Sequence, residues 1–542
     1  MEKTGENNNI EAAKEDAKEE AKITKNCANA IIKKSDYEQL PLLEVIFYIF
    51  IWLSMYGYMM KNVYDSSTAS FRDALKRRDI EVKKDFFTSW PYADTSDYEW
   101  EMWNYWTRWY MAVNFIYFVV MRITEVLAEK YRFRVSMFFS VVLIIVMFGS
   151  KGLWILLSQT FAVFSIAYFT ESVKMTWLCA VATIVPLTRR EVITILVNVF
   201  DNQEVFYLFI VICTLCNLRY IAFSLEYCWY KNELKEDKTE TQAKSLKSFV
   251  FDLLEFEFYF PLLLGGPITT YRDFKRQKSK PKAAWGKSFL FYFTLNVCRY
   301  AVWHLFLNWA LHFMYIPAMH NDLDLLDSVP LFTLLGMAIS YDQYFCVKYM
   351  VLYGVPSALA VADNVIVDGA PHCVSGKFKF LDMWKYFDKG LHKWLLRYIY
   401  IPTGGSAFHL SFPRKTINAV LPFVFVYLWH GLYYHHLIWA TINAFGVYIE
   451  MICRDLSKTN SVTTFENTFL SKGWTRRYRA LLAMFTFSLL IISNLYFLAG
   501  VDAGNLYMKR IYTEDFLTTA LLHLLLYCGI QTSMEVSRRI SK

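Results

Sequence analysis

The chain has 542 residues, 55% of them hydrophobic and 18% aromatic, while charged residues are held to 20% and gathered between apolar runs. Soluble domains usually stay at or below half apolar, so a string of soluble domains is excluded in favour of one membrane-embedded body. The net charge of +8 is scattered over 272–287, Arg414 and Lys415, 472–479 and the C-terminal SRRISK. Such clusters beside apolar spans mark cytosolic loops, whereas a nucleic-acid binder needs one coherent basic face.

Residues 1–40 are polar, with seven Lys and nine Asp or Glu. They are expected to be a disordered cytosolic tail with no cleavable signal peptide. A span needs roughly 20 mostly apolar residues. Runs of that kind fall near 42–60, 109–127, 135–171, 173–188, 205–228, 288–313, 330–352, 416–431, 433–453, 480–499 and 516–534. Run 135–171 is long enough for two spans joined at Gly149–Gly152. The expected fold is therefore an all-α polytopic membrane protein of about ten to twelve transmembrane helices, with re-entrant and amphipathic segments. One membrane domain is expected over 41–536, with a basic cytosolic tail at 537–542.

Between the runs, 61–108 is a polar aromatic loop, lumenal if the N-terminus is cytosolic. Residues 229–250 carry mixed charge and fit the cytosol. Residues 354–415 are semi-polar and rich in Gly, Pro, His and Asp. Irregular backbone at membrane depth survives only buried in protein or lining a cavity, so a cavity is expected near 360–430. The ten cysteines, Cys27, Cys179, Cys213, Cys216, Cys228, Cys298, Cys346, Cys373, Cys453 and Cys528, form no close set with histidines that would hold zinc. They imply no disulfide framework.

Intramembrane ionisable residues are costly and so mark function. His430 ends the apolar run INAVLPFVFVYLWHG. Arg414 and Lys415 open that run and Arg454 closes the return run, so His430 belongs at the lumenal end of a helical hairpin. A histidine there can equally be a turn residue bonded to backbone. Asp388 lies in MWKYFDKGLHKWLLRYIYIPTGGS, where Trp384, Phe387, Leu391, Trp394, Leu395 and Tyr398 make an apolar helical face. Lys385, Lys389, Lys393 and Arg397 make another face, as in an interfacial helix with snorkelling cations. In GGPITTYRDF, 265–274, Gly-Gly-Pro breaks the preceding helix and suggests a re-entrant turn. The basic stretch after it is either a mouth for coenzyme A phosphates or simple positive-inside charge.

The segments GGPITTYRDF, CVSGKFKFLDMWKYFDKGLHKWLLRYIYIPTGGS, VFVYLWHGLYYHHLIWATINAFGVYIE and LIISNLYFLAG together resemble the membrane-bound O-acyltransferases, and within them the hedgehog acyltransferase branch. They cover much of the C-terminal half, with the catalytic core placed at about 249–500. The resemblance implies an intramembrane catalytic tunnel. It makes His430 the catalytic histidine and Asp388 its acidic partner. It puts Trp384, Trp429 and Asn494 at the tunnel and its gate, and Lys385, Lys389 and Arg397 at the acyl-CoA. It makes Cys373 an axial ligand of haem b, for which one thiolate suffices chemically. Lys385 departs from the vertebrate members of the branch, which carry arginine there, and the two cations are not interchangeable in bidentate contacts.

The implied reaction is palmitoyl transfer from palmitoyl-CoA to the N-terminal cysteine of secreted hedgehog-type precursors, with EGF-receptor-ligand-type proteins as further acceptors. It would take place in the endoplasmic reticulum or Golgi membrane, directly or through a thioester on the cysteine thiol. The alternatives are a relative acting on a lipid or sterol hydroxyl or a serine side chain, a lipid transporter or scramblase, and a ligand-binding membrane chaperone.

Overall fold

The computed structural model describes residues 38–83, 88–200, 202–236, 245–279, 286–374, 376–405 and 411–540. The polar tail expected at 1–40 lies almost wholly outside them, as do the middle of the basic loop 272–287 and the last two residues of the C-terminal tail.

The described residues are overwhelmingly helical. In chain order they form α1 (Leu42–Arg77), a two-stranded antiparallel hairpin β1 (Ile80–Val82) and β2 (Tyr92–Asp94), α2 (Tyr98–Ala128), α3 (Arg132–Thr170), α4 (Val173–Ile184), α5 (Arg190–Phe200), α6 (Gln203–Glu236), α7 (Leu246–Glu257), α8 (Tyr271–Lys278) and α9 (Lys287–Ala310). There follow α10 (Ile316–His320), α11 (Leu323–Ser328), α12 (Leu331–Ala362), α13 (Phe380–Phe387), α14 (Lys389–Leu395), α15 (Phe412–Trp429), α16 (Tyr434–Leu456), α17 (Asn460–Phe469), α18 (Lys472–Thr513) and α19 (Phe516–Ile540).

Among the described residues, seven helical stretches are long and apolar enough to cross a membrane: Leu42–Arg77, Tyr98–Thr170, Gln203–Lys235, Leu331–Ala362, Tyr434–Leu456, Lys472–Thr513 and Phe516–Ile540. This is fewer than the ten to twelve expected, although every expected run is helical. The runs at 109–127 and 135–171 share one continuous stretch, and Val173–Thr188 is short. Helix α9 carries Asn296, Arg299, His304 and Asn308, and α15 has only 18 residues. Helix α3 leaves helical geometry at Gly149 (φ +68°), the junction expected from sequence, and α18 does so at Gly500 (φ +84°). Such φ values favour glycine.

Two large buried cores hold many of the described helices together. One core joins α1, α9, α12, α16, α18 and α19 through residues such as Met59, Leu307, Leu334, Trp439, Leu495 and Leu525. The other joins α3, α4, α6, α7 and α8 with Trp394, Tyr398 and Phe425. Side chains that look outward are themselves apolar (Phe50, Phe115, Val146, Phe291, Phe516), as suits a body solvated by lipid.

Candidate active site

An apolar cavity of about 550 Å³ lies where α2, α3, α6, α12 and the end of α15 meet. One stripe of α2 supplies much of its wall. Glu99, Met102, Trp103, Trp106, Tyr110 and Val113 recur every three or four residues and so share one face of the helix. Gly265 and Gly266 line it from the Gly-Gly-Pro turn, Tyr349 and Tyr353 from α12, and Trp429 and His430 from the end of α15. Only Trp429 and His430 come from 360–430, where the cavity was expected. Where α12 ends, the chain is held by other elements: the Asp363 carboxylate accepts from Tyr117 Oη and Tyr259 Oη, and Arg122 donates to the Ala362 carbonyl.

His430 is placed by the way α15 stops. Gly431 N–H donates to the Leu428 carbonyl (3.2 Å) and Leu432 N–H to the Tyr427 carbonyl (3.3 Å). With Gly431 left-handed at φ +102°, this is the paired-bond helix ending that consumes orphan carbonyls. A Cβ on Gly431 would meet the Tyr433 ring at 2.8 Å. The W-H-G order therefore has a local cause. The glycine ends the helix one residue after the histidine, so the imidazole stays at the cavity wall. Its ring packs edge-on to Trp429 (4.8 Å between centroids) and Phe497 (5.2 Å). Trp429 is fixed in turn, its indole N–H donating to the Thr214 carbonyl (3.0 Å).

Asp388 breaks the chain between α13 and α14. Its Oδ1 accepts from Leu391 N–H (2.8 Å), capping α14, and its Oδ2 accepts from the Tyr353 hydroxyl (3.1 Å). Asp388 itself is not on the cavity wall; Tyr353 is. A Cβ on Gly390 would collide with the backbone of Ile268. That close approach presses the capped turn of the FDKGLH segment against the loop after Gly-Gly-Pro, so the two motifs form one construction.

One turn before Tyr353, Tyr349 donates to Glu99 Oε1 (3.1 Å), and the rings of the two tyrosines touch at 5.4 Å. Lys348, only 4% exposed, bridges Asp97 (2.7 Å) and Glu99 (2.9 Å). A buried cation is tolerated when it is paired in this way.

The other expected site residues lie around this centre. Trp384 donates its indole N–H to Asn443 Oδ1 (2.7 Å) and stacks edge-on to Trp439, which touches Phe497 and through it His430. Asn494 is buried one turn before Phe497 and bonds to Asp342. Neither Trp384 nor Asn494 lines the cavity. Arg397 makes a bidentate pair with Glu226 and lies over the Trp229 ring, so its guanidinium is already engaged. Lys389 contacts His372, Lys393 pairs with Asp368, and Lys385 lies near the Tyr386 ring. Cys373 is exposed, in the loop between α12 and α13.

The tyrosines of α12, Lys348, Glu99 and the tryptophans of α2 escaped the sequence reading. Lys348 had a signal, being a cation inside an apolar run.

A family-wide sequence profile described as MBOAT, membrane-bound O-acyltransferase family, matches residues 165–493. The chain belongs to the membrane-bound O-acyltransferases. It is thus a multi-pass membrane acyltransferase. It is 32% identical to the mouse protein-cysteine N-palmitoyltransferase HHAT over 453 residues, 83% of this chain and 90% of the mouse protein. It is 31% identical to the Drosophila melanogaster protein-cysteine N-palmitoyltransferase Rasp over 283 residues, spanning 52% of this chain and 55% of the fly protein. A mouse protein-cysteine N-palmitoyltransferase HHAT-like protein is 27% identical over 460 residues, covering 83% of this chain and 86% of that protein. The membrane-bound O-acyltransferase match takes in the Gly-Gly-Pro turn, Asp388 and His430 alike.

Proposed function

We propose that this membrane-bound O-acyltransferase transfers palmitate from palmitoyl-CoA to the N-terminal cysteine of secreted hedgehog-type precursors, as an amide, in the endoplasmic reticulum membrane. The observation that carries the reading is His430 on the wall of an apolar membrane cavity, with Tyr353 linking the same wall to Asp388. The likeness along most of its length to a mouse protein-cysteine N-palmitoyltransferase supports palmitoyl as the acyl group and a protein cysteine as its acceptor.

An acceptor α-amine has an unperturbed pKa of roughly 7.7–8.0, so an imidazole suffices to deprotonate it near neutrality. His430 takes one proton from the ammonium group as nitrogen attacks the thioester carbonyl; the C–N bond forms, the C–S bond breaks, and the second proton shed by nitrogen passes to coenzyme A, which leaves as the thiol. Asp388 acts from behind Tyr353, ordering α14 and fixing the tyrosine in the cavity wall. The tryptophan and methionine stripe of α2 binds the acyl chain, each buried methylene contributing about 0.8 kcal/mol.

Of the three cations expected at the acyl-CoA, Arg397 is held by Glu226 and Lys389 contacts His372, which leaves Lys385 to steer the coenzyme A phosphates. Cys373, which is exposed, is the residue that the resemblance gives as a single thiolate ligand to haem iron; the group, when bound, would anchor the loop between α12 and α13. Haem absorbance that survives Cys373→Ala would remove this ligand from the account.

The test of the function is acyl transfer in nanodiscs to a peptide beginning with cysteine. An N-palmitoyl amide is the expected product. Transfer only to lipid or sterol hydroxyls would overturn the acceptor assignment.

A further inference from the structure

Acylating an α-ammonium group releases a proton that neither product keeps. The acceptor arrives as R–NH3⁺ and the thioester as RCO–S–CoA, and they leave as an amide, a neutral thiol and one H⁺. His430 receives that proton on the wall of an apolar cavity, where water is a poor carrier, and must discharge it before the next turnover.

Two further histidines stand beside it. The His430 and His436 rings are 5.4 Å apart between centroids, and His436 and His435 are 4.1 Å apart. The sequence HGLYYHH brings the three together because the helix ending at Gly431 folds the chain back. The first turn of α16 then returns His435 and His436 to the level of His430. His436 directs one ring nitrogen to the His430 backbone carbonyl, while its Nδ1 is buried with no hydrogen-bond partner. A buried unpaired nitrogen is costly and is an acceptor waiting for a proton. His435 is partly exposed and its ring lies flat against Tyr433 (5.6 Å, 17°). The titratable groups facing His436 are His430, His435 and Tyr433.

We propose that His436 and His435 form a proton relay that discharges His430 to the outer end of the α15–α16 hairpin. His436 takes the proton at Nδ1, releases one from its other nitrogen as the ring turns away from the His430 carbonyl, and passes it to His435, which yields it to water. No group is oxidised or reduced. The relay rests on the N-acylation reading above, because only an ammonium acceptor needs a net proton to leave.

The test compares His436→Gln and His435→Asn with wild type in nanodiscs, using palmitoyl-CoA and a cysteine-initiated peptide over a range of imidazole buffer concentrations. Wild-type amide formation is the control for the proposed function and is scored separately. The relay predicts that His436→Gln lowers kcat by about tenfold or more, a share of the 10²- to 10⁴-fold that positioned proton transfer contributes. KM should be unchanged, and the loss should be reversed by concentrated imidazole. His435→Asn, at a partly exposed position, should show a smaller kcat loss with the same buffer rescue. A loss in either variant that is indifferent to buffer, or that resides in KM, would mean a structural role and overturn the relay. So would full activity of both variants at low buffer.

Discussion

Tyr353 and Asp388 are joined by one hydrogen bond of 3.1 Å, which connects the acidic residue of one motif to a cavity that it does not itself line. The tyrosine is the coupling element between α12 and the capped start of α14. Tyr353→Phe keeps the ring in the wall and removes only the hydroxyl. It leaves Asp388 Oδ2 without its partner at a part-buried position, a loss at the lower end of the roughly 1–3 kcal/mol that an unpaired buried group costs. Palmitoyl transfer by the phenylalanine variant should fall about tenfold or more in kcat, with the fold retained by size-exclusion profile and thermal midpoint.

Asp388 has two duties that substitution can separate. As the cap of α14 it is replaceable by asparagine at little cost, whereas alanine costs about 1 kcal/mol. Thermal unfolding in detergent should therefore rank wild type and Asp388→Asn together, above Asp388→Ala. Transfer activity should be lost in both variants if the carboxylate is needed. An active asparagine variant would reduce Asp388 to a helix cap.

Gly431 holds the helix ending that presents His430. Alanine there must adopt a left-handed φ and meet the Tyr433 ring, at a cost of about 1 kcal/mol or more. Gly431→Ala should lower kcat more than it lowers the thermal midpoint, because the imidazole is displaced while the bundle persists.

Outside the spans, Asp94 gives a pH signature. It is buried in β2, accepting from Ser96 N–H (3.0 Å) and Ala318 N–H (2.9 Å), and burial pushes its carboxyl up to about 7. The folded form thus prefers the protonated acid. The stability this contributes is complete below the unfolded pKa near 3.9 and is lost as pH rises through about 7. The thermal midpoint of wild type should fall relative to Asp94→Asn between pH 4 and 8. Parallel curves would show that Asp94 is not held protonated.

What could be seen in the sequence was local. The spans, the break at Gly149, the helix ending at His430 and the amphipathic stretch around Asp388 each follow from residues within a few turns of one another. The site's other wall was not local. Lys348 meets Asp97 across 251 positions, Tyr349 meets Glu99 across 250 and Arg397 meets Glu226 across 171, and no periodicity records such pairings. Lys389, Lys393 and Arg397, which read from sequence as one cationic face, acquire His372, Asp368 and Glu226 as partners once α6 and the loop after α12 pack against this segment.

The most direct test of the central claim is the transfer of labelled palmitate to a cysteine-initiated peptide by wild type and His430→Ala, reconstituted side by side in nanodiscs. An N-palmitoyl amide from wild type, and none from a folded His430→Ala variant, is the predicted result. Full activity in the absence of the imidazole would contradict the assignment of His430 and the mechanism built on it.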